Sequence, residues 1–128
     1  MLILIIEDMP FWSGILSREL QKCGVQSDSV KNGKLGVERI RQGKVIYDGI
    51  ICDVQMPWMC GIQATKKIRS LGFTQPIVGF SSMKEVYEAQ CLEAGMDACF
   101  EKSINPDMIQ KLFSCLGVLN KGKVTTCR

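Results

Sequence analysis

Four groups of residues in this chain stand where they could do chemistry together: the acidic pair Glu7-Asp8, the lone Asp53, the hydroxyls Ser81-Ser82, and Lys102. Each follows a short apolar run. Leu2 to Ile6 leads into the acidic pair, Gly49-Ile50-Ile51-Cys52 into Asp53, Pro76 to Phe80 into the hydroxyls, and Met96 to Phe100 comes just before the lysine. Pro57 keeps the run that ends at Asp53 from continuing. Carboxylates that converge in a partly buried pocket repel one another and raise each other's pKa. A hard divalent cation relieves that repulsion, and Mg²⁺ commonly takes one or two carboxylates while keeping several waters. Lys102 adds a point charge suited to a phosphoryl oxygen, and Ser81 a hydroxyl donor for another. An ionised aspartate beside Mg²⁺ is a competent nucleophile toward a phosphoryl donor, giving an aspartyl-phosphate. Taken singly, these residues have ordinary explanations: Asp8 caps a helix, Asp53 and Ser81 are turn residues, and Lys102 is a solvated charge. Their joint placement at four strand ends is what argues for a site.

The elements that must position them can be read from apolar spacing and breakers. Residues 2–6, 48–52, 76–80 and 96–100 read as strands, those over 2–6 and 48–52 as central ones buried on both faces. Val25 to Val30, with Gln26, Ser27, Asp28 and Ser29, is a poor strand by propensity and belongs at a sheet edge. Pro10 suits the first turn of a helix that carries Ile15, Leu16 and Leu20. Asn32 can cap a second helix, and a third spans about residues 62–70. Ser82-Met83-Lys84-Glu85 has the spacing of a capping box that opens a fourth helix. Asn105-Pro106 marks the start of a fifth. Gly24, Gly43, Gly72, Gly95 and Gly117 stand at the helix ends.

Strict strand–helix alternation implies right-handed crossovers, hence an α/β fold with a parallel sheet and helices on both faces. The expected form is a flavodoxin-like, doubly wound, five-stranded sheet of order 2-1-3-4-5, with the first and third strands adjacent at the switch point. In that arrangement Glu7-Asp8, Asp53, Ser81 and Lys102 all reach one rim, where open α/β sheets bind ligands. Residues 1–117 form the domain on this reading, and 118–128 read as a polar C-terminal tail carrying Lys121, Lys123 and Arg128.

Composition narrows the functional classes. The 128 residues are 46% apolar and 23% charged, the balance of a globular domain with a single core. A net charge of +3, with the basic residues scattered, gives no footprint for nucleic acid. The apolar start stops at Glu7, too short for a membrane span and without the flanks of a signal peptide. The 7 cysteines include no C-x-x-C pair, and the chain has no histidine, so zinc has no ligand cluster. Cysteines in apolar runs behave as small hydrophobes. The expectation is reduced thiols in a cytoplasmic protein.

Ile5-Ile6-Glu7-Asp8, Asp53-Val54-Gln55-Met56-Pro57, Gly61, Pro76-Ile77-Val78, Ser81, and Gly95-Met96-Asp97 with Lys102 together resemble the receiver domain of two-component response regulators. The resemblance covers about residues 1 to 117 in order and spacing. It implies that Asp53 accepts a phosphoryl group from a histidine of a partner kinase or histidine phosphotransfer protein. It further implies that Asp8 and Asp53 bind Mg²⁺, with Glu7 acting through water and the Gln55 backbone carbonyl as a further ligand. Lys102 then contacts the phosphoryl group, and Ser81 is the hydroxyl that moves toward it as a downstream protein surface switches. Such a domain is a signalling phosphoacceptor that promotes its own phosphorylation and dephosphorylation, and is not counted as an enzyme.

The chain departs from the pattern in three places. Cys99 stands where the family usually has an aromatic ring that reports the phosphorylated state. Ser103 stands where a proline usually follows the lysine, so the Lys102–Ser103 bond is expected to be trans. Ser82 is small but polar where the family often has alanine. These put the relay to the output surface in question and leave the phosphorylation chemistry intact. Competing readings fit less well. A haloacid-dehalogenase-type phosphatase needs an acid where Gln55 stands, and a flavin carrier would not place Glu7-Asp8 in its phosphate loop. A pseudo-receiver that binds partners without phosphorylation is the remaining alternative, and the intact Asp8, Asp53, Ser81 and Lys102 argue against it.

Overall fold

A computed structural model of the protein describes residues 1–118. Its elements alternate throughout: β1 (Leu2–Ile6), α1 (Pro10–Lys22), β2 (Gln26–Val30), α2 (Gly33–Gln42), β3 (Gly49–Asp53), α3 (Gly61–Ser70), β4 (Ile77–Ser81), α4 (Lys84–Ala94), β5 (Ala98–Glu101) and α5 (Pro106–Cys115). The strands form one parallel sheet in the order β2-β1-β3-β4-β5, as the sequence predicts. The expected tail beyond Val118 lies outside the described residues.

Side-chain alternation along the strands divides the core in two. Ile3, Ile5, Ile51, Val78 and Phe80 face α1 and α5, where Leu16, Leu20, Ile109, Leu112 and Phe113 meet them. Leu4, Ile6, Ile50, Cys52 and Ile77 face the opposite way, toward Val37 of α2, Ala64 and Ile68 of α3 and Cys91 of α4. Every residue of β3 and of β4 is buried, the signature of central strands covered on both sides. The polar run of β2 does lie at the edge. There Asp28 accepts from the Tyr47 hydroxyl at 2.7 Å, and Arg39 donates to the same hydroxyl at 2.9 Å. A satisfied hydroxyl lets a tyrosine enter the core. Tyr47 is accordingly buried, although it sits in a connection that the sequence does not mark as core.

The caps fall as expected at two helices. Asn32 Oδ1 accepts from the Leu35 amide at 2.8 Å. Asn105 Oδ1 accepts from the Asp107 amide, also at 2.8 Å. Each satisfies a donor that the helix start would otherwise leave unpaired. The capping box expected at Ser82 does not form. The N-cap of α4 is Met83, which makes no side-chain cap bond, and the Met83 amide donates instead to Ser81 Oγ at 2.9 Å. Ser81 ends β4, one residue past the predicted strand, and α4 starts one residue later than the capping-box spacing implies, so Ser82 lies outside the helix. The fifth strand is shorter than predicted. Met96 turns into the core, and the Asp97 carboxylate accepts from the Ile77 amide at 2.9 Å and from Arg69 at 3.0 Å, which holds the turn beside the sheet. No cis peptide occurs among the described residues, so the Lys102–Ser103 bond is trans as expected.

Cys23, Cys52, Cys60, Cys91 and Cys99 are free thiols, and Cys52, Cys91 and Cys99 are core residues. No helix among the described residues is long and apolar enough to cross a membrane.

Candidate functional site

The C-terminal ends of β1, β3, β4 and β5 meet at one rim, and the sheet order sets who meets whom. Asp53 closes β3 between β1 and β4, so Glu7 and Asp8 lie on one side of it and Ser81 on the other. One carboxylate oxygen each from Glu7, Asp8 and Asp53 falls within 4.8 Å of the others, the one such cluster among the described residues. Glu7 and Asp53 are buried, at 4% and 3% exposure, whereas Asp8 keeps contact with solvent.

The loop after Asp53 is held tightly. The Gln55 amide donates to Asp53 Oδ1 at 3.3 Å, and the Gly61 amide to the Val54 carbonyl at 2.8 Å. A Cβ at residue 61 would run into the Asp53 carbonyl itself, so only glycine lets α3 begin this close to the end of β3. On the other side of the cluster, Glu7 Oε2 accepts from the Met9 amide at 3.1 Å. This fixes the Glu7 carboxylate at the mouth of α1. Asp8 makes no cap for that helix, whose N-cap is Met9.

Lys102 supplies the positive charge. Its Nζ lies 2.8 Å from Glu7 Oε1 and 3.3 Å from Asp53 Oδ2, with only 9% of the side chain exposed. Glu7 Oε1 nevertheless accepts no aligned hydrogen bond and is one of the few buried polar atoms left without one. The contact with Lys102 is therefore Coulombic. Burial pushes the Asp53 carboxyl up to about 8, repulsion from Glu7 adds to this, and Lys102 opposes it. Two buried acids and one solvent-touching acid with a single lysine leave excess negative charge. That excess and the all-oxygen donor set suit a hard divalent cation.

Ser81 is buried at the end of β4, and its Oγ is engaged by the Met83 amide. The Lys102 amide donates to the Ser81 carbonyl at 2.8 Å, which ties the lysine's backbone to the hydroxyl's strand. The structure thus brings Glu7, Asp8, Asp53 and Lys102 together directly and sets Ser81 beside them, on the adjoining strand end. Two neighbours escaped the sequence reading. The Lys102 ammonium also lies 5.7 Å from the ring centre of Trp12 and 5.8 Å from that of Phe80. The sequence places Phe80 in the fourth strand and Trp12 in the first helix, and nothing local links them to the lysine.

Comparison with known proteins gives the same picture. The family model described as the response regulator receiver domain matches residues 3–114. The chain is 33% identical over 112 residues to the sensor histidine kinase RcsC of Escherichia coli strain K12, covering 87% of this chain and 12% of that protein. The chain thus spans about an eighth of the sensor kinases it matches. It is 36% identical over 118 residues to two-component response regulator 24 of Arabidopsis thaliana, covering 91% of this chain and 82% of that one. Among solved structures, it superposes with a TM-score of 0.79 and 26% identity on the receiver domain of the sensor histidine kinase PA1611 from Pseudomonas aeruginosa PAO1, over 91% of this chain and 97% of that one. That structure carries a magnesium ion coordinated in its active-site cleft.

Proposed function

This chain belongs to the response regulator receiver domain family, and on that premise we propose that it is a phosphorelay receiver whose Asp53 takes a phosphoryl group from a histidine of a partner kinase or phosphotransfer protein. The observation that carries this reading is the convergence of the Glu7, Asp8 and Asp53 carboxylates within 4.8 Å, with Lys102 reaching two of them. In the reaction an Asp53 oxygen attacks phosphorus and the P–N bond to the partner's histidine breaks, so the phosphoryl group moves and the imidazole leaves. Asp53 must be ionised to attack, and Lys102 favours that form against the burial that opposes it.

Glu7, Asp8, Asp53 and the Gln55 backbone carbonyl would hold Mg²⁺, which when bound neutralises charge on the phosphoryl oxygens. The convergence of three carboxylates and the oxygen-only donor set support that assignment. Lys102 is placed to meet a phosphoryl oxygen on Asp53, and Ser81 to donate its hydroxyl to another. Output passes to a downstream protein through the region of α4, β5 and α5, and the domain ends near residue 117. The role is that of a signalling acceptor, with catalysis limited to its own phosphorylation and dephosphorylation. Neither nucleic acid nor membrane enters this reading, which places the chain in the cytoplasm.

Intact mass after incubation with Mg²⁺ and acetyl phosphate tests it. The expected result is one added phosphoryl group in the wild type and none in Asp53→Asn or after chelation. An unmodified wild type would leave a pseudo-receiver, a fold that binds partners without phosphorylation.

A further inference from the structure

The Lys102 ammonium is enclosed on two sides by different chemistry. Glu7 and Asp53 meet it at 2.8 and 3.3 Å, and the rings of Trp12 and Phe80 meet it at 5.7 and 5.8 Å. A cation within about 6 Å of an aromatic ring centre is attracted by the ring's quadrupole, more so where water is excluded. Water is excluded here, since Phe80 is 2% exposed and the lysine side chain 9%. The two rings meet edge to face, 5.3 Å between centres and 85° between planes. That is a preferred arrangement for an aromatic pair, so each ring fixes the other. They also come from different elements: Trp12 from the first turn of α1, and Phe80 from β4, where it is the sheet partner of Asp53.

We propose that Trp12 and Phe80 are positioning residues for Lys102, forming an aromatic bracket that holds its ammonium at the site where a phosphoryl group on Asp53 arrives. The proposal rests on the reading of Asp53 as phosphoacceptor and adds to it the residues that set the lysine's place. The need follows from the lysine itself. Its stem is four flexible carbons, and it follows β5, two strands away from Asp53 in order of pairing. The Asp53 contact does not by itself hold it there through the reaction, because Asp53 changes its charge and size when it is phosphorylated, which leaves Glu7 as the remaining carboxylate on the lysine. The rings carry no charge that the reaction alters. They keep the ammonium from retreating toward α1, so its stabilising charge is in position before the transition state forms.

The test compares Trp12→Leu, which keeps apolar bulk and loses the ring face, with Trp12→Phe, which keeps a ring. Initial phosphorylation by acetyl phosphate is measured at saturating Mg²⁺, and Mg²⁺ affinity separately by calorimetry. The expected result is a rate about three- to tenfold lower in Trp12→Leu, an unchanged Mg²⁺ affinity, and recovery of most of the rate in Trp12→Phe. A Trp12→Leu rate equal to wild type would overturn the proposal, and so would a loss that Trp12→Phe does not recover. A second arm needs no phosphodonor. Unfolding of wild type, Trp12→Leu, Lys102→Met and the double variant should show a coupling of about two- to tenfold in the unfolding equilibrium constant. Strict additivity would overturn the bracket. Should Trp12→Leu not fold, the contact is read from the other side: in a Trp58→Phe background, Lys102→Met should shift the emission of Trp12, and an unchanged spectrum refutes the contact. A wild type that takes no phosphate refutes the role of Asp53 alone, since the coupling and the emission still decide whether the bracket exists.

Discussion

Lys102 Nζ stands 2.8 Å from Glu7 Oε1 although β3 and β4 lie between the strands that carry them. The lysine reaches across the sheet's rim, past Asp53, and so joins the first and last strands at the one place where acidic charge accumulates. A buried charge left without its partner costs far more than an intact pair contributes. Lys102→Ala should therefore destabilise the metal-free protein by about 3 kcal/mol, the low end of the usual range because protonating Asp53 relieves part of the strain. Added Mg²⁺ should recover much of that loss, since the carboxylates remain. Urea unfolding in chelator and in Mg²⁺ measures both. Loss of Mg²⁺ binding with normal phosphorylation would reverse the roles given to lysine and carboxylates.

Asp53 gives a pH signature. Its carboxyl is held up to about 8 in the folded protein, chiefly by burial and next by Glu7, while the unfolded chain titrates near the ordinary value of about 4. Between those values the folded state holds a proton that the unfolded state has released. By linkage this group's contribution favours folding at the acid end of the window and is lost as pH rises toward the folded value. Metal-free wild type should thus lose stability relative to Asp53→Asn between about pH 5 and pH 8. Mg²⁺ requires the ionised carboxylate, so its affinity should increase with pH across the same window and its binding should release protons. Unfolding curves for the two proteins at several pH values provide the check, and a wild type that gains stability relative to the variant as pH rises contradicts it.

Thr65 offers a prediction independent of the site. It is fully buried on α3, and its Oγ1 has no hydrogen-bond partner among the described residues. A buried hydroxyl without a partner carries an uncompensated desolvation cost of about 1–3 kcal/mol. Thr65→Val replaces that hydroxyl with a methyl of similar shape, and stability should increase by about 1 kcal/mol. Thermal unfolding measures it, and a loss of stability would mean that the hydroxyl is satisfied in solution.

The acidic and basic site residues were legible in the sequence because each ends a run that can only be a strand. Ile3 to Ile6 and Ile50 to Cys52 are too apolar for an edge, so their order in the sheet, and with it the meeting of Asp8 and Asp53, follows from burial. Features that depend on a third element were not legible. Tyr47 is core because Asp28 and Arg39 satisfy its hydroxyl, and those residues lie on β2 and α2. The capping box at Ser82 failed because α4 starts one residue later than that spacing implied, with Met83 as its N-cap, so Ser82 falls outside the helix. The sequence marks Phe80 only as part of the fourth strand and does not single out Trp12, and only the folded arrangement sets both against Lys102.

The last prediction concerns output. Ser81 Oγ accepts from the Met83 amide, and Met83 is the otherwise uncapped N-cap of α4. Drawing that hydroxyl toward a phosphoryl group on Asp53 breaks the bond and frees the start of the helix. Among its side chains α4 buries only Cys91 and Ala94, both small, so a shift of its first turn disturbs little packing. The counterweight is on β5. Cys99 lies across from Gly79, where an added Cβ would come within 2.8 Å of Met96 Sδ and 3.2 Å of Cys99 Sγ, so this part of the core is filled by sulfur and not by a ring. A thiol cannot follow the departing hydroxyl into the space it leaves as an aromatic side chain could. A ligand shifts an equilibrium only by its differential interaction with the two states. Phosphorylation should therefore move the α4–β5–α5 surface by a smaller population shift than a receiver with a ring at this position would show. Cys99→Tyr should enlarge that shift. Amide chemical shifts with and without a beryllofluoride mimic measure both proteins, and a wild type that already switches fully, with no gain in Cys99→Tyr, would mean that another residue gates the output.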